Sequence, residues 1–249
     1  MILTWLALLV GAGLPPARAD EATVAVAANF AEVLAALAPA FTATTGHTLV
    51  ASAGSTGKLY AQVMSGAPFD VLLAADPERP ARLEAEGVAV AGTRFTYATG
   101  ALVLWSRDAA LLAADDPAVI AASPVRHLAI ANPDLAPYGV AARQVLAALG
   151  LAAAVADKLV MGQNVGEAYA LVASGAAEAG FVALSAVAKP GTPVAGSRWA
   201  VPATLHDPIR QDAVLLRHGA DNRAARAFLD FLRSASARAL IRAHGYRDD

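Results

Sequence analysis

The chain has 249 residues, 57% of them hydrophobic and 16% charged, with 19 basic against 21 acidic side chains and no cysteine. That balance argues against nucleic-acid binding, and the missing cysteine excludes thiol chemistry and a small disulfide-stapled scaffold. The length suits one large domain or two small ones.

The first stretch, MILTWLALLVGAGLPPARAD, runs apolar from Ile2 to about Leu14, then meets Pro15-Pro16 and the small-x-small sequence Ala17-Arg18-Ala19 before Asp20. In form it is a secretory signal peptide over residues 1–19, too short and wrongly flanked for a membrane span, although no Lys or Arg precedes the apolar run. Export to the periplasm is expected, and without a cysteine to carry a lipid anchor the mature protein is expected to be free there. Removing Arg18 leaves 18 basic against 21 acidic residues, a net charge of −3. Beyond Asp20 no uncharged apolar run reaches the roughly 18 residues a spanning helix needs.

The mature sequence alternates short apolar or β-branched runs with longer helical patterns, which predicts an α/β protein with parallel strands. A strand at Thr23–Ala27 precedes a helix from about Phe30, with Phe30, Val33, Leu34, Leu37 and Phe41 on one face and Gly46 at its end. A strand at Thr48–Ala51, a helix at Gly57–Ser65 and a strand at Phe69–Ala74 follow, the last running into the helix-starting turn Asp76-Pro77. After a helix around Ala81–Glu86, an extended segment from Arg94 to Trp105 is broken only by Gly100. The pattern then repeats: strands at His127–Ile130, Lys158–Met161 and Ala179–Leu184, helices at Tyr138–Leu149 and Val165–Gly175. A second extended segment, Arg198–Leu216, leads to two amphipathic helices, Asn222–Arg233 and Ser236–His244. Two lobes joined by two extended crossovers, with a ligand cleft between them, is the predicted architecture: lobe 1 over 20–98 and 207–249, lobe 2 over 99–206.

Four helix starts carry the candidate site. Asn29 precedes the first helix, Ser55 and Thr56 the second, Tyr138 begins the third and Val165 the fourth. The second start, GSTGKL, looks like part of a phosphate loop, but Ser52 stands where that pattern needs glycine and Leu59 where it needs a hydroxyl. Each turn taken alone is an ordinary N-cap. Taken together they lie at the same ends of their strands and bring unpaired N–H groups, hydroxyls and partial positive charge, with no Lys, Arg, Asp or Glu at the cap. Such a site suits a fully deprotonated oxyanion; a protonated one would leave its proton without an acceptor. Gly139 and Gly166 are read as leaving room for close approach to the main chain, and Lys58 as a solvated helix residue.

With these turns the chain resembles the periplasmic molybdate-binding proteins that serve ATP-binding-cassette transporters. The resemblance rests on AVAANF, GSTGKLYAQVMSGAPFDVLLAAD, IANPDLAPYGVAARQVLAALG, NVGEAYALVASGAAEAGFVALS and FLDFLRSASARALIRAHGY. It implies a two-lobed class II binding-protein fold, each lobe a mostly parallel sheet flanked by helices, closing by hinge motion on molybdate or tungstate. It implies no cofactor, a membrane permease as partner and a monomeric state. The implied oxyanion contacts, which are not direct metal ligands, fall on Asn29, Thr56 with Ser55 beside it, and the main chain of Tyr138 and Val165. Where some members of that family place a tyrosine this chain has Ala183, so Ala28 or Ser185 is expected to complete the site, or it has one donor fewer.

Two alternatives stay open. One is the same fold binding sulfate, phosphate or a small organic acid, although a carboxylate ligand usually recruits an Arg and none lies at the four turns. The other is a hydrolytic enzyme, against which stand the absence of a G-x-S-x-G elbow and five scattered histidines, His47, His127, His206, His218 and His244. Trp105 and Trp199 are read as packing beside the crossovers.

Overall fold

A computed structural model of the chain describes residues 19–248, so the expected signal peptide lies outside the described residues except for Ala19. The first half of lobe 1 runs β1 (Glu21–Ala27), a short 3-10 turn over 28–30, α1 (Ala31–Thr45), β2 (Thr48–Gly54), α2 (Thr56–Met64), β3 (Val71–Leu73), α3 (Glu78–Ala85) and β4 (Phe95–Gly100). Lobe 2 follows with β5 (Leu102–Ser106), β6 (Leu128–Ala131), α4 (Pro137–Ala148), α5 (Ala152–Val155), β7 (Leu159–Gly162), α6 (Val165–Ser174), β8 (Ala179–Ala183), α7 (Leu184–Val187) and β9 (Ser197–Ala200). The chain then returns through β10 (Ile209–Leu215) and ends with α8 (Arg223–Leu232) and α9 (Ala235–Ala243).

Two five-stranded sheets result, ordered β2-β1-β3-β10-β4 and β7-β6-β8-β5-β9. In each, the fourth strand runs against the others, β10 in the first and β5 in the second. The sheets are therefore mixed but mostly parallel, with helices supplying the crossovers that parallel pairing requires. The segment expected as one extended run over Arg198–Leu216 divides into β9 at the edge of the second sheet and β10 inside the first. Pro202 and Pro208, which have no N–H to donate, lie in the gap between them. Trp105 and Trp199 sit on the neighbouring strands β5 and β9, with Trp105 stacked on Tyr169 at 5.2 Å, so both pack inside lobe 2.

The apolar spacing of α1 puts Val33, Leu34, Leu37 and Phe41 into the lobe 1 core, and Gly46, at φ 75°, ends the helix in the left-handed conformation. Helix α8 is capped by Asn222, whose Oδ1 accepts from the Ala225 N–H at 3.2 Å, and turns Phe228 edge-on to Phe41 with ring centroids 5.5 Å apart. That packing fixes α1, and so the turn at its start.

The lobes meet where the chain crosses between sheets. Only Ala101 separates β4 from β5, and Gly100 pairs with Ile209 at the start of β10, so the two crossovers run side by side. The β4–β10 pairing is bulged there: Gln211 faces Ala98 and Asp212 faces Thr96, leaving Tyr97 as the extra residue. The chain end joins the same place, the N–H of Arg247 donating to the Thr99 carbonyl at 3.0 Å and the N–H of Thr99 to the Arg247 carbonyl at 2.8 Å. Around these crossovers the phenols of Tyr97, Tyr138 and Tyr246 are buried with the Gln211 amide. Loss of solvent pushes the Tyr246 phenol up to about 12 and raises those of Tyr97 and Tyr138 well above 10.

Two outcomes follow. Phe228→Ala removes a fully buried ring from the contact that holds α1 and is expected to cost about 3–5 kcal/mol, seen as a lower urea midpoint. The tyrosines ionise at a lower pH in the unfolded chain than in the fold, so their contribution to stability is complete below pH 10 and is lost as pH rises through the folded values. Tyr246 alone accounts for roughly 2–3 kcal/mol between pH 10 and 12, and unfolding of Tyr246→Phe followed across that range should show a shallower fall than the parent.

Candidate oxyanion site between the lobes

Each of the four helix starts lies at the end of a parallel strand that faces the cleft. The 28–30 turn follows β1, Ser55 and Thr56 follow β2, Tyr138 follows β6 through the loop at 132–136, and Val165 follows β7. Across the closed cleft these segments line one cavity: residues 27–29, 54–56 and Ala75 from lobe 1, residues 136–138, Asn164 and Val165 from lobe 2. Asn29, Ser55, Thr56, Tyr138 and Val165 are all brought together there. The cavity is small, with room for a single small occupant.

Donor accounting defines its chemistry. The Thr56 hydroxyl oxygen accepts from the Ala75 N–H at 3.0 Å and the Ser55 hydroxyl from the Lys58 N–H at 3.4 Å, so each already accepts one main-chain hydrogen bond and keeps its own proton to donate. The N–H groups of Thr56, Tyr138 and Val165 belong to first helical turns and have no intrahelical acceptor; that of Asn29 stands one residue inside the 3-10 turn and is in the same position. Asn164 caps α6 by accepting the Glu167 N–H at 3.0 Å, which turns the Val165 end of the helix into the cleft. No Asp, Glu, Lys, Arg or His lines the cavity among the described residues, and Lys58 is exposed on α2.

The side chain of Asn29 differs from its expected role as a ligand donor. Its Nδ2 donates to Gln211 Oε1 and to the Tyr246 phenol oxygen, both at 2.9 Å, so both amide protons are used inside the protein. Asn29 still lines the cavity, and its main-chain N–H has no acceptor within the turn. Ser185, considered as a further contact because Ala183 has no phenol, is also committed: its hydroxyl donates to the Asn29 carbonyl at 3.0 Å. Ala28 does line the cavity. Gly57 serves the contact between lobes, whereas Gly139 serves packing within lobe 2. The N–H of Gly57 donates to the Leu135 carbonyl of the opposite lobe at 2.9 Å, and a Cβ at Gly139 would stand 2.2 Å from the Ala131 carbonyl oxygen. The partners of Asn29, namely Gln211 and Tyr246, lie about 180 and 220 residues away along the chain. No local pattern marks them; the closing Gly245-Tyr246 was visible only as part of a family-like ending.

Such a cavity can hold one small species that only accepts hydrogen bonds. The histidines take no part: His218 Nδ1 lies 2.9 Å from Asp70 Oδ1, and His47 Nδ1 accepts from the Asp20 N–H at 3.0 Å.

Comparison with known proteins agrees with this geometry. Residues 22–247 match the family model of the bacterial extracellular solute-binding proteins. The chain is 50% identical to the molybdate-binding protein ModA of Azotobacter vinelandii over 98% of its own length and 97% of that protein's. It is 47% identical to the Rhodobacter capsulatus protein of the same name, over 98% and 94%. The solved structure of an Azotobacter vinelandii periplasmic molybdate-binding protein superposes with a TM-score of 0.88 at 41% identity, over 92% of this chain and 99% of that one. A two-lobed fold closed over a donor-only cavity and this similarity along nearly the whole chain agree: the protein belongs to the extracellular solute-binding proteins, in the family of periplasmic molybdate-binding proteins, which bind solutes and are not enzymes.

Proposed function

We propose that the protein captures molybdate, and tungstate with it, in the periplasm as a monomer and delivers it to the permease of an ATP-binding-cassette importer. The observation that carries this reading is the small cavity between the lobes, lined by the hydroxyl residues Ser55 and Thr56 and by helix-start residues, with no Asp, Glu, Lys, Arg or His. A tetrahedral dianion with no proton of its own gives every one of those donors an acceptor. Hydrogen phosphate would bring a proton that finds no acceptor, which disfavours it. Sulfate is also fully deprotonated, so discrimination against it rests on the size of the closed cavity rather than on charge. The names of the relatives support the same ligand. Closure of the two lobes buries the ion for transport, and reopening at the permease releases it.

Thermal unfolding of the mature protein in molybdate, tungstate, sulfate and phosphate tests this. At about a thousand times its dissociation constant a ligand adds roughly 4 kcal/mol, and that gain is expected for molybdate and tungstate alone. A gain with sulfate or phosphate and none with molybdate would overturn the assignment. Thr56→Ala removes a hydroxyl donor and strips the Ala75 N–H of its acceptor, so molybdate affinity measured by calorimetry should fall by about 1–3 kcal/mol. Ser55→Asp sets a carboxylate in the cavity and should abolish binding.

A further inference from the structure

We propose that Gln211 and Tyr246 are positioning residues that set the angle between the lobes, and with it the spacing of the anion donors on Asn29 and Tyr138, without touching the anion. The proposal rests on the cavity being the ligand site. Asn29 and Tyr138 face each other from opposite lobes with their main chains on the cavity, yet both side chains run away from it to the crossovers. Neither Gln211 nor Tyr246 lines the cavity, and both are buried.

One amide joins the two. Gln211 Oε1 accepts from Asn29 Nδ2 and from the Tyr97 phenol, each at 2.9 Å, while Gln211 Nε2 donates to the Tyr138 phenol oxygen at 3.3 Å. Tyr246 completes the arrangement: its phenol donates to the Asn29 carbonyl at 2.7 Å and accepts from Asn29 Nδ2, and it lies 3.1 Å from the Ser185 hydroxyl of α7. The Asn29 carbonyl thus takes protons from both lobes, from Tyr246 and from Ser185. The contacts of Gln211 with Tyr138, and of Ser185 with Asn29 and Tyr246, span the lobes and hold only at a narrow range of hinge angle, because hydrogen bonds weaken steeply with distance and misalignment.

Gly100, at the crossover itself, shows how closely this cluster meets the hinge. A Cβ there would stand 2.2 Å from the Tyr138 phenol oxygen and 2.7 Å from Gln211 Nε2. The hinge strand therefore packs directly on the two groups that bridge the lobes, and their geometry and the hinge angle cannot change independently. Because the cluster stabilises the closed form with or without an ion, it shifts the population that binds.

The test uses Tyr246→Phe and Gln211→Leu, with release of molybdate followed by stopped flow and lobe separation by pulsed electron paramagnetic resonance. The sequence has no cysteine, so Met64→Cys on lobe 1 and Met161→Cys on lobe 2, both at exposed positions, give two clean spin-label sites. Each variant is expected to release molybdate about tenfold faster, to keep the parent's molybdate-to-sulfate preference, and to show a longer inter-lobe distance in the ion-free protein. Gly100→Ala should weaken binding more, and Tyr138→Phe added to it should restore part of the loss, which a merely structural role would not produce. Parent-like release and parent-like ion-free distances in Tyr246→Phe, which keeps the ring packed on Phe30, would overturn the proposal even if Gln211→Leu misfolds. Should the parent fail to bind molybdate, the ligand reading falls while the ion-free distances still decide the role of the cluster.

Discussion

The first turn of a helix has N–H groups that the helix itself cannot satisfy, and this fold points four such turns at one another across a cleft. In the open form water can meet those groups; in the closed form the cavity is too small for more than a single small occupant. Closing the lobes therefore makes sense physically only around something that accepts hydrogen bonds in several directions. The rest of the structure serves that requirement: parallel strands place the helix starts at one end of each sheet, the crossovers let the sheets turn toward each other, and Gly57, where a Cβ would stand 3.0 Å from the Leu135 carbonyl oxygen, lets the main chains of the two lobes meet.

Charge is handled by direction rather than by opposite charge. With no lysine or arginine on the cavity, attraction for an anion comes from aligned peptide dipoles and from hydroxyl protons. Thr56 is the clearest case, since its hydroxyl accepts the Ala75 N–H and keeps its own proton to donate. A cavity built this way carries no counter-charge that has to be neutralised when the ion leaves, which suits a protein whose task includes release. Ion pairs do occur between the lobes, but at the surface: Lys189 meets Glu32 at 2.9 Å with both side chains about half exposed, a contact that salt screens and that contributes little.

Polar groups at the crossovers follow the opposite rule. Around Gln211 the polar groups bond to one another, and the cluster is buried and shared by both lobes. Asn29 belongs to both arrangements at once. It lines the cavity while its carbonyl and amide are bound into the crossover cluster, so the proposed site and the crossovers share one residue.

The order of strands and helices and the helix starts were legible in the sequence because they depend on neighbours: the apolar spacing of α1, Gly46 at its end, Asn164 ahead of Val165, the hydroxyls of Ser55 and Thr56 after β2. Those same local signals picked out Asn29, Ser55, Thr56, Tyr138 and Val165, which the fold brings to one cavity. Strand limits were less well defined, as with the extended run over 198–216, because whether a polar, proline-bearing segment pairs with one sheet or the other depends on which edge is open to it. What a side chain does at the site was decided only in three dimensions. The Asn29 amide gives both of its protons to Gln211 and Tyr246, distant in sequence, and a hydrogen bond of that kind leaves no periodicity or spacing along the chain by which to foresee it.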